Sequence, residues 1–176
     1  ASMKKAIGQN ERFMQEEGLK TTKNENAGTV TVSKDDSGIK LYKHQEEAFV
    51  NMTKKIAKEG LYPYKGLLVL PTGGGKTLTA ARWIAENIMD KGIKVLWIAH
   101  RHELLEQAKR TFTKILAYKD VHKTIESFNY RLISGIHDMP VNIKPTDSIL
   151  FSSKDSLRSD RAYDFLKKNW LNGNTS

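Results

Sequence analysis

The sequence predicts an α/β fold in which a parallel sheet is flanked by helices. Short apolar runs of strand length alternate with longer segments whose apolar residues recur at helical spacing, which is the pattern of successive βαβ units. Residues 93–99 are almost wholly apolar, as expected of a strand that is buried on both faces of a parallel sheet. Residues 66–70 form a second apolar run and lead almost directly into three consecutive glycines.

The first 39 residues are predicted to form an N-terminal extension. Residues 1–18 carry the apolar spacing of a short amphipathic helix, and residues 20–28 have the polar composition of a linker. Residues 29–32 alternate as a strand does, and turn-forming residues 34–38 separate them from Ile39 and Leu41, so we expect a β-hairpin. The main domain is then expected to span residues 40–176.

A helix is predicted from about residue 41 to Gly60, because apolar residues between positions 48 and 56 fall on one face. Gln45 lies at its start. A glutamine amide both donates and accepts hydrogen bonds, so Gln45 is a candidate for selecting ATP by pairing with the adenine edge. The alternative is an ordinary solvated helix residue.

Residues 70–77 have the composition of a loop that binds a polyphosphate. Such a loop turns several backbone N–H groups inward, including at positive φ, where side chains collide. Lys76 would bring its charge to the outer phosphates, and the Thr77 hydroxyl would be a ligand for Mg²⁺. Both lie at the start of the next predicted helix, at the positive end of its dipole. The predicted cofactor-binding residues are Gln45, Thr72, Gly73, Gly74, Gly75, Lys76 and Thr77, with Lys76 and Thr77 also assigned as catalytic.

This loop departs from the strict phosphate-loop pattern at one position. Leu70 stands where that pattern has its first glycine. The alternative is therefore a glycine-rich turn between a strand and a helix, with a surface lysine. The aliphatic run before the loop and the helical spacing after it favour the phosphate site.

His100, Arg101 and His102 follow the predicted strand at residues 93–99 and begin a helix predicted over residues 101–117. In open α/β sheets, ligands bind at this edge. The two histidines raise the question of a metal site, but they flank a turn without an evident third ligand, so a solvated or phosphate-facing pair is favoured. Two further strands are expected at residues 131–135 and 148–152, and a last helix at residues 154–171.

The composition restricts the classes of protein that this chain can belong to. The 176 residues suit one domain, or one domain with an appendage, and the apolar runs are far shorter than the ~20 residues of a membrane span. The sequence has no cysteine, which fits a reducing compartment, so the cytoplasm is expected. A formal charge of +9 favours a polyanionic partner.

Three segments, in this order, resemble the opening motifs of superfamily 2 helicases and translocases. They are residues 41–48 (glutamine motif), 70–77 (motif I) and 96–108 (motif Ia), and residues 152–157 are a weaker fourth match. The resemblance is nearest to the motor subunits of type I and type III restriction enzymes. Tyr42, Lys43 and His44 depart from the usual Arg-Pro-Tyr of the glutamine motif.

The resemblance implies the first of two RecA-like motor domains, with ATP and Mg²⁺ as cofactors. It also implies that a nucleic-acid strand, DNA rather than RNA, crosses near Arg101, His102 and Ser153. ATP hydrolysis would drive movement along that strand in the full-length protein. The alternatives are a non-catalytic basic module that binds nucleic acid or protein, and a phosphotransferase of another phosphate-loop class.

Hydrolysis in the family also requires an acidic Walker B motif after a further strand. No adjacent pair of Asp or Glu residues here ends an aliphatic strand, so residues 40–176 are expected to be an incomplete RecA-like domain that is inactive alone. Its sheet should have unpaired edges, and we expect intermolecular completion or dimerisation.

Overall fold

The computed structural model describes residues 26–59, 66–70, 73 and 75–172. Within these residues, strands and helices are mixed along the chain but do not alternate strictly, because two helices follow one another before the second strand and no α-helix separates the last two strands. The helix expected at residues 1–18 lies outside the described residues. The strands are β1 (Ala27–Thr31), β2 (Val95–Ala99), β3 (Ser127–Ile133) and β4 (Ile149–Ser153), and the α-helices are α1 (Lys43–Glu59), α2 (Lys76–Asn87), α3 (His102–Arg110) and α4 (Asp160–Phe165).

The four strands form one mixed sheet in the order β1-β3-β4-β2. Strands β3, β4 and β2 run parallel, and β1 adds an antiparallel strand at one edge. The α/β prediction is therefore confirmed, with this one antiparallel addition. Ile133 pairs with Ser152 and Ala99 pairs with Ser153, so the carboxyl ends of the three parallel strands are level.

Strand β1 does not form the expected hairpin with residues 39–41. It pairs with β3 instead, with Val30 opposite Phe128, and residues 39–41 precede α1 without joining a strand. Val30 packs against the core that contains Phe128, so burial of apolar surface selects a distant strand over the local turn. Strand β3 accordingly begins at Ser127, earlier than the predicted residue 131.

Residues 66–70 were expected to be a strand of the sheet, and this prediction is wrong. Leu70 is buried, but Leu67 and Val69 are largely exposed, and the segment pairs with none of the four strands. A strand persists only where a neighbour takes up its N–H and C=O groups, and no strand in the described part of the chain lies beside this segment.

The sheet separates two hydrophobic cores, because alternate side chains of each strand point to opposite faces. Leu132, Ile149 and Phe151 face the larger core, which includes residues of α2 and α3. Ile133 and Leu150 face the smaller one, with Trp170 and Leu166 from the segment after α4.

Two of the predicted helices are built from more than one helical type. Helix α3 continues as a π-helical turn over Thr111–Ile115, and α4 continues as another over Leu166–Leu171. The predicted helix at residues 154–171 is interrupted at Ser159, which has extended backbone and caps α4 by accepting from the Ala162 N–H. Helix α2, which follows the glycine loop (residues 70–75), is extended by a 3-10 turn over Met89–Lys91 that ends at Gly92, with φ of 73°.

Candidate functional site

The glycine loop leads into α2 through two residues with left-handed backbone. Gly73 has φ of 76°, and Gly75, the N-cap of α2, has φ of 72°. Side chains are strained at these angles, so glycine serves a backbone purpose at both positions. Helix α2 is 12 residues long, and its first N–H groups have no intrahelical acceptor. Thr72 and Gly74 lie outside the described residues.

Gln45 is buried against this loop. A Cβ atom added to Gly75 would collide with Gln45 Nε2, so the amide occupies the space that glycine leaves open. Gln45 Oε1 accepts the backbone N–H of Tyr42 at 2.9 Å. A glutamine at the third helical position that bonds the N-cap residue is half of a capping box. The structure thus joins the two sequence-predicted motifs and gives Gln45 a helix-capping bond.

Side-chain hydrogen bonds hold the segments that carry these two motifs together. Trp83 Nε1 on α2 donates to Thr53 Oγ1 on α1 at 2.9 Å. Arg82 Nη1 donates at 2.8 Å to the carbonyl of Ile39, just before the glutamine segment. Helix α2 therefore positions both the glycine loop and the start of α1.

The same arginine belongs to a small charged cluster. Arg82 forms an ion pair with Asp120 at 3.8 Å, and Asp120 accepts the Ser37 N–H at 2.8 Å. Burial alone would raise the pKa of Asp120, but the Ser37 hydrogen bonds and the charge of Arg82 lower it below its usual value. The carboxylate thus stays ionised and fixes the chain before Gln45.

Lys76 and Thr77 occupy the first turn of α2, where an anion would meet the helix N-terminus. Lys76 is exposed, and Thr77 is partly buried. Thr79 Oγ1 is turned back onto the carbonyl of Gly75 at 2.9 Å, so it stabilises the loop. The positive φ angles, the free helix N–H groups and the lysine all fit a phosphate group.

The described residues offer little for a divalent cation. They contain no group of three or more His, Cys, Asp or Glu side chains that could hold a metal ion. A Mg²⁺ ion at Thr77 would therefore take most of its ligands from phosphate oxygens and water, which is usual for this ion.

Arg101, His102 and Ser153 lie at the level edge formed by the carboxyl ends of the parallel strands. Arg101 is the exposed N-cap of α3. Ser153 is the last residue of β4 and is buried, with its hydroxyl 2.8 Å from Ser156 Oγ. The structure brings the three predicted residues to one edge. Arg101 is exposed to solvent, whereas Ser153 is buried.

The structure adds three residues to this edge that the sequence did not suggest, namely Ser134, His137 and Glu106. The ring of His102 contacts that of His137, with centroids 5.9 Å apart. His137 Nδ1 lies 2.5 Å from Ser134 Oγ, and His137 Nε2 lies 2.8 Å from Glu106 Oε1. Burial would raise the pKa of Glu106, but hydrogen bonds from Lys109 and His137 lower it. The sequence signal for this cluster is a serine and a histidine that lie three residues apart, directly after a buried strand.

The order Ser134–His137–Glu106 resembles that of a hydrolytic triad, but its geometry serves a structural purpose. Ser134 is only 5% exposed, so its hydroxyl is not open to a substrate carbonyl. The three side chains connect the segment after β3 to helix α3. They therefore fix the edge of the sheet.

These features define an α/β domain with a phosphate-loop-like glycine turn and a polar edge at the carboxyl ends of its parallel strands. The family model described as type III restriction enzyme, res subunit, matches residues 38–172, which is well over half of the chain. The chain belongs to this family, which is a helicase-like motor domain family of superfamily 2, as the motifs implied. No curated protein and no solved structure matches the chain in the corresponding comparisons.

No helix in the described ranges is both long and apolar enough to cross a membrane.

Proposed function

We propose that this chain is the ATP-binding part of the first motor domain of a superfamily 2 helicase or translocase that acts on DNA. The observation that carries the proposal is the meeting of two separated motifs: Gln45 packs against Gly75, the left-handed glycine at the N-terminus of α2. In the whole protein, ATP hydrolysis would drive movement along nucleic acid. The cytoplasm is the proposed compartment.

In this proposal, the triphosphate binds to the loop at Gly73 and Gly75 and to the first N–H groups of α2. Lys76 neutralises its outer charge, and Thr77 supplies a hydroxyl to Mg²⁺. Gln45 is proposed to contribute to the base end of the site, and its contact with Gly75 connects that end to the loop. Thr72 and Gly74 complete the proposed set of cofactor-binding residues.

The nucleic-acid strand is proposed to cross the level strand ends, with Arg101 as the principal phosphate contact and His102 and Ser153 beside it. Support comes from the exposure of Arg101 and from the formal charge of +9. Because Ser153 is buried and bonded to Ser156, we assign it a lesser part, through the backbone turn that it stabilises.

Lys76→Ala tests the nucleotide site directly. We expect the affinity for Mg-ATP to fall about 10- to 100-fold, because a charged hydrogen-bond donor is lost. Isothermal titration calorimetry measures the change. Lys91→Ala is the matched control, because Lys91 is another exposed lysine, placed after α2 at the end remote from the loop.

Equal affinity of wild type and Lys76→Ala would contradict the assigned site. Binding of DNA without any binding of nucleotide would favour the alternative of a non-catalytic basic module. No described pair of adjacent acidic residues ends a strand, so we expect residues 1–176 alone to hydrolyse ATP negligibly.

A further inference from the structure

The segment that follows β3 exposes several large apolar side chains at the same edge of the sheet. We call residues 134–142 the apolar loop. Its exposed large apolar residues are Ile136, Met139 and Val141, at 67%, 62% and 49% exposure. Exposed apolar side chains that cluster in a short segment mark a contact surface more often than isolated ones do.

The apolar loop is held in place at both ends. Ile133 precedes it and Ile143 follows it, and both are buried in the smaller hydrophobic core. Asp138 N–H donates to the Leu132 carbonyl at 3.0 Å, and Ser134 N–H donates to the Asp138 carbonyl at 3.3 Å. These backbone bonds close the loop on the end of β3.

Side chains within the loop reinforce this closure. The Asp138 carboxylate accepts from Arg131 Nη1 at 2.5 Å, from the Met139 N–H at 2.9 Å and from the Asn142 amide. His137 connects the loop to Glu106 on α3. The apolar tip is thus preorganised, and little conformational entropy would be lost when it contacts a ligand.

The loop lies close to the proposed path of the nucleic acid. His137 is in ring contact with His102, the residue after Arg101. Because the ends of β2, β4 and β3 are level, the start of the loop lies two strand spacings from the end of β2, or about 10 Å. This span is short enough for neighbouring nucleotides of one strand to reach both the end of β2 and the loop.

We propose that the apolar loop contacts the bases of the single strand whose phosphates lie along Arg101, with Ile136 and Met139 as the contact residues. This inference rests on the proposed function. A surface that places apolar groups beside a cation matches a ligand that carries apolar bases on an anionic backbone. The formal charge of +9 favours this ligand over an apolar protein surface.

The test compares a base-bearing single-stranded oligonucleotide with an abasic strand of the same length. Wild type should bind the base-bearing strand about tenfold more tightly, because its bases would cover apolar surface of Ile136 and Met139 that an abasic strand leaves in water. The double variant Ile136→Ala/Met139→Ala should lose this preference and keep the slope of affinity against salt, since phosphate contacts set that slope. Fluorescence anisotropy at several salt concentrations measures both quantities.

Val50→Ala is the matched control, because Val50 is an exposed apolar residue on α1. It should behave as wild type. If the double variant keeps the preference while Arg101→Ala weakens binding of both strands, the base contact is refuted and the proposed function stands. If wild type binds neither oligonucleotide, both the base contact and the proposed function are refuted. Loss of self-association in the double variant, with unchanged DNA binding, would identify the loop as a protein contact and refute the proposal.

Discussion

Gly75 shows how one residue can be constrained in two independent ways. Its φ of 72° disfavours any side chain, and Gln45 fills the space where a Cβ would be placed. The first constraint is local, and the second arises because α1 packs on α2 through Trp83 and Thr53. The same glycine therefore serves both the backbone of the loop and the seating of Gln45.

Gly75→Ala should destabilise the fold by about 2–3 kcal/mol, because left-handed backbone is disfavoured and the added Cβ displaces the end of the buried Gln45 side chain, which caps α1. Gly73→Ala is the matched control, because Gly73 has a similar φ but nothing within 4 Å of an added Cβ. It should cost only about 1–2 kcal/mol. Urea denaturation measures both, and equal losses would show that the contact with Gln45 contributes nothing to stability.

His122 is a buried imidazole whose two ring nitrogens have no hydrogen-bond partner. It packs against Phe128, and burial lowers the pKa of His122 below its ordinary value, although the charge of Asp90 partly opposes this. The unfolded chain therefore binds a proton more readily than the folded chain does. The stability that His122 contributes is present above pH ~6.5 and is lost as the pH falls toward its folded pKa.

We expect the free energy of unfolding to fall as the pH drops below about 6.5, with a slope of up to ~1.4 kcal/mol per pH unit from His122. His122→Phe should flatten this part of the curve, whereas the control His100→Asn, at an exposed histidine, should leave it unchanged. Denaturation at a series of pH values gives the slope. A flat wild-type curve would show that His122 is protonated without cost.

At the scale of elements, the connection between β3 and β4 is organised by one arginine. Arg131 on β3 donates from Nε to Asp147 at 2.8 Å and from Nη1 to Asp138 in the apolar loop. Both Arg131 and Asp147 are buried. Burial would lower the pKa of Arg131, but the two carboxylates raise it, so the charge is retained. This arginine thus links the strand, the loop and the turn before β4.

Arg131→Met should cost about 3–5 kcal/mol, because it leaves the buried Asp147 without its charged partner. Arg158→Met is the matched control, since its ion pair with Asp155 at 3.6 Å is solvent-exposed and should contribute less than about 1 kcal/mol. Thermal and chemical denaturation of the two variants would test this difference. Similar losses in both would mean that the buried network adds nothing beyond surface pairing.

At the scale of the whole molecule, β2 is an edge strand among the described residues. It pairs with β4 on one side only, and Ile98 is 54% exposed. Residues 66–70, which were expected within the sheet, lie outside it with Leu67 and Val69 exposed. Unpaired apolar edges favour association with another strand, so we propose that a second copy of the chain covers β2.

Sedimentation should therefore show dimers that dissociate on dilution, and Ile98→Lys should shift the equilibrium toward monomer, because a charged side chain opposes edge pairing. Val50→Lys is the control, because it adds the same charge on α1, away from the sheet. A wild-type chain that stays monomeric at all concentrations would refute the edge-pairing proposal.

Several features followed from the sequence because their causes are local. Helical spacing and apolar runs predicted helices α1, α2 and α3 and strands β2, β3 and β4, and Gly73 and Gly75 have the left-handed backbone expected of a phosphate loop. The motifs gave the family, which the match over residues 38–172 confirms. Arg101 lies at a strand end, as predicted, since the βαβ pattern alone determines which edge carries it.

Other features depended on which distant surfaces meet. The sequence could not show that β1 pairs with β3, that residues 66–70 stay outside the sheet, or that His137 connects to Glu106. By itself, the sequence determined the periodicity of the elements and the left-handed backbone of the glycine turn, because both depend on neighbouring residues. Tertiary structure alone decided strand pairing and the contact of Gln45 with Gly75, because burial and hydrogen bonding depend on partners far apart in the chain.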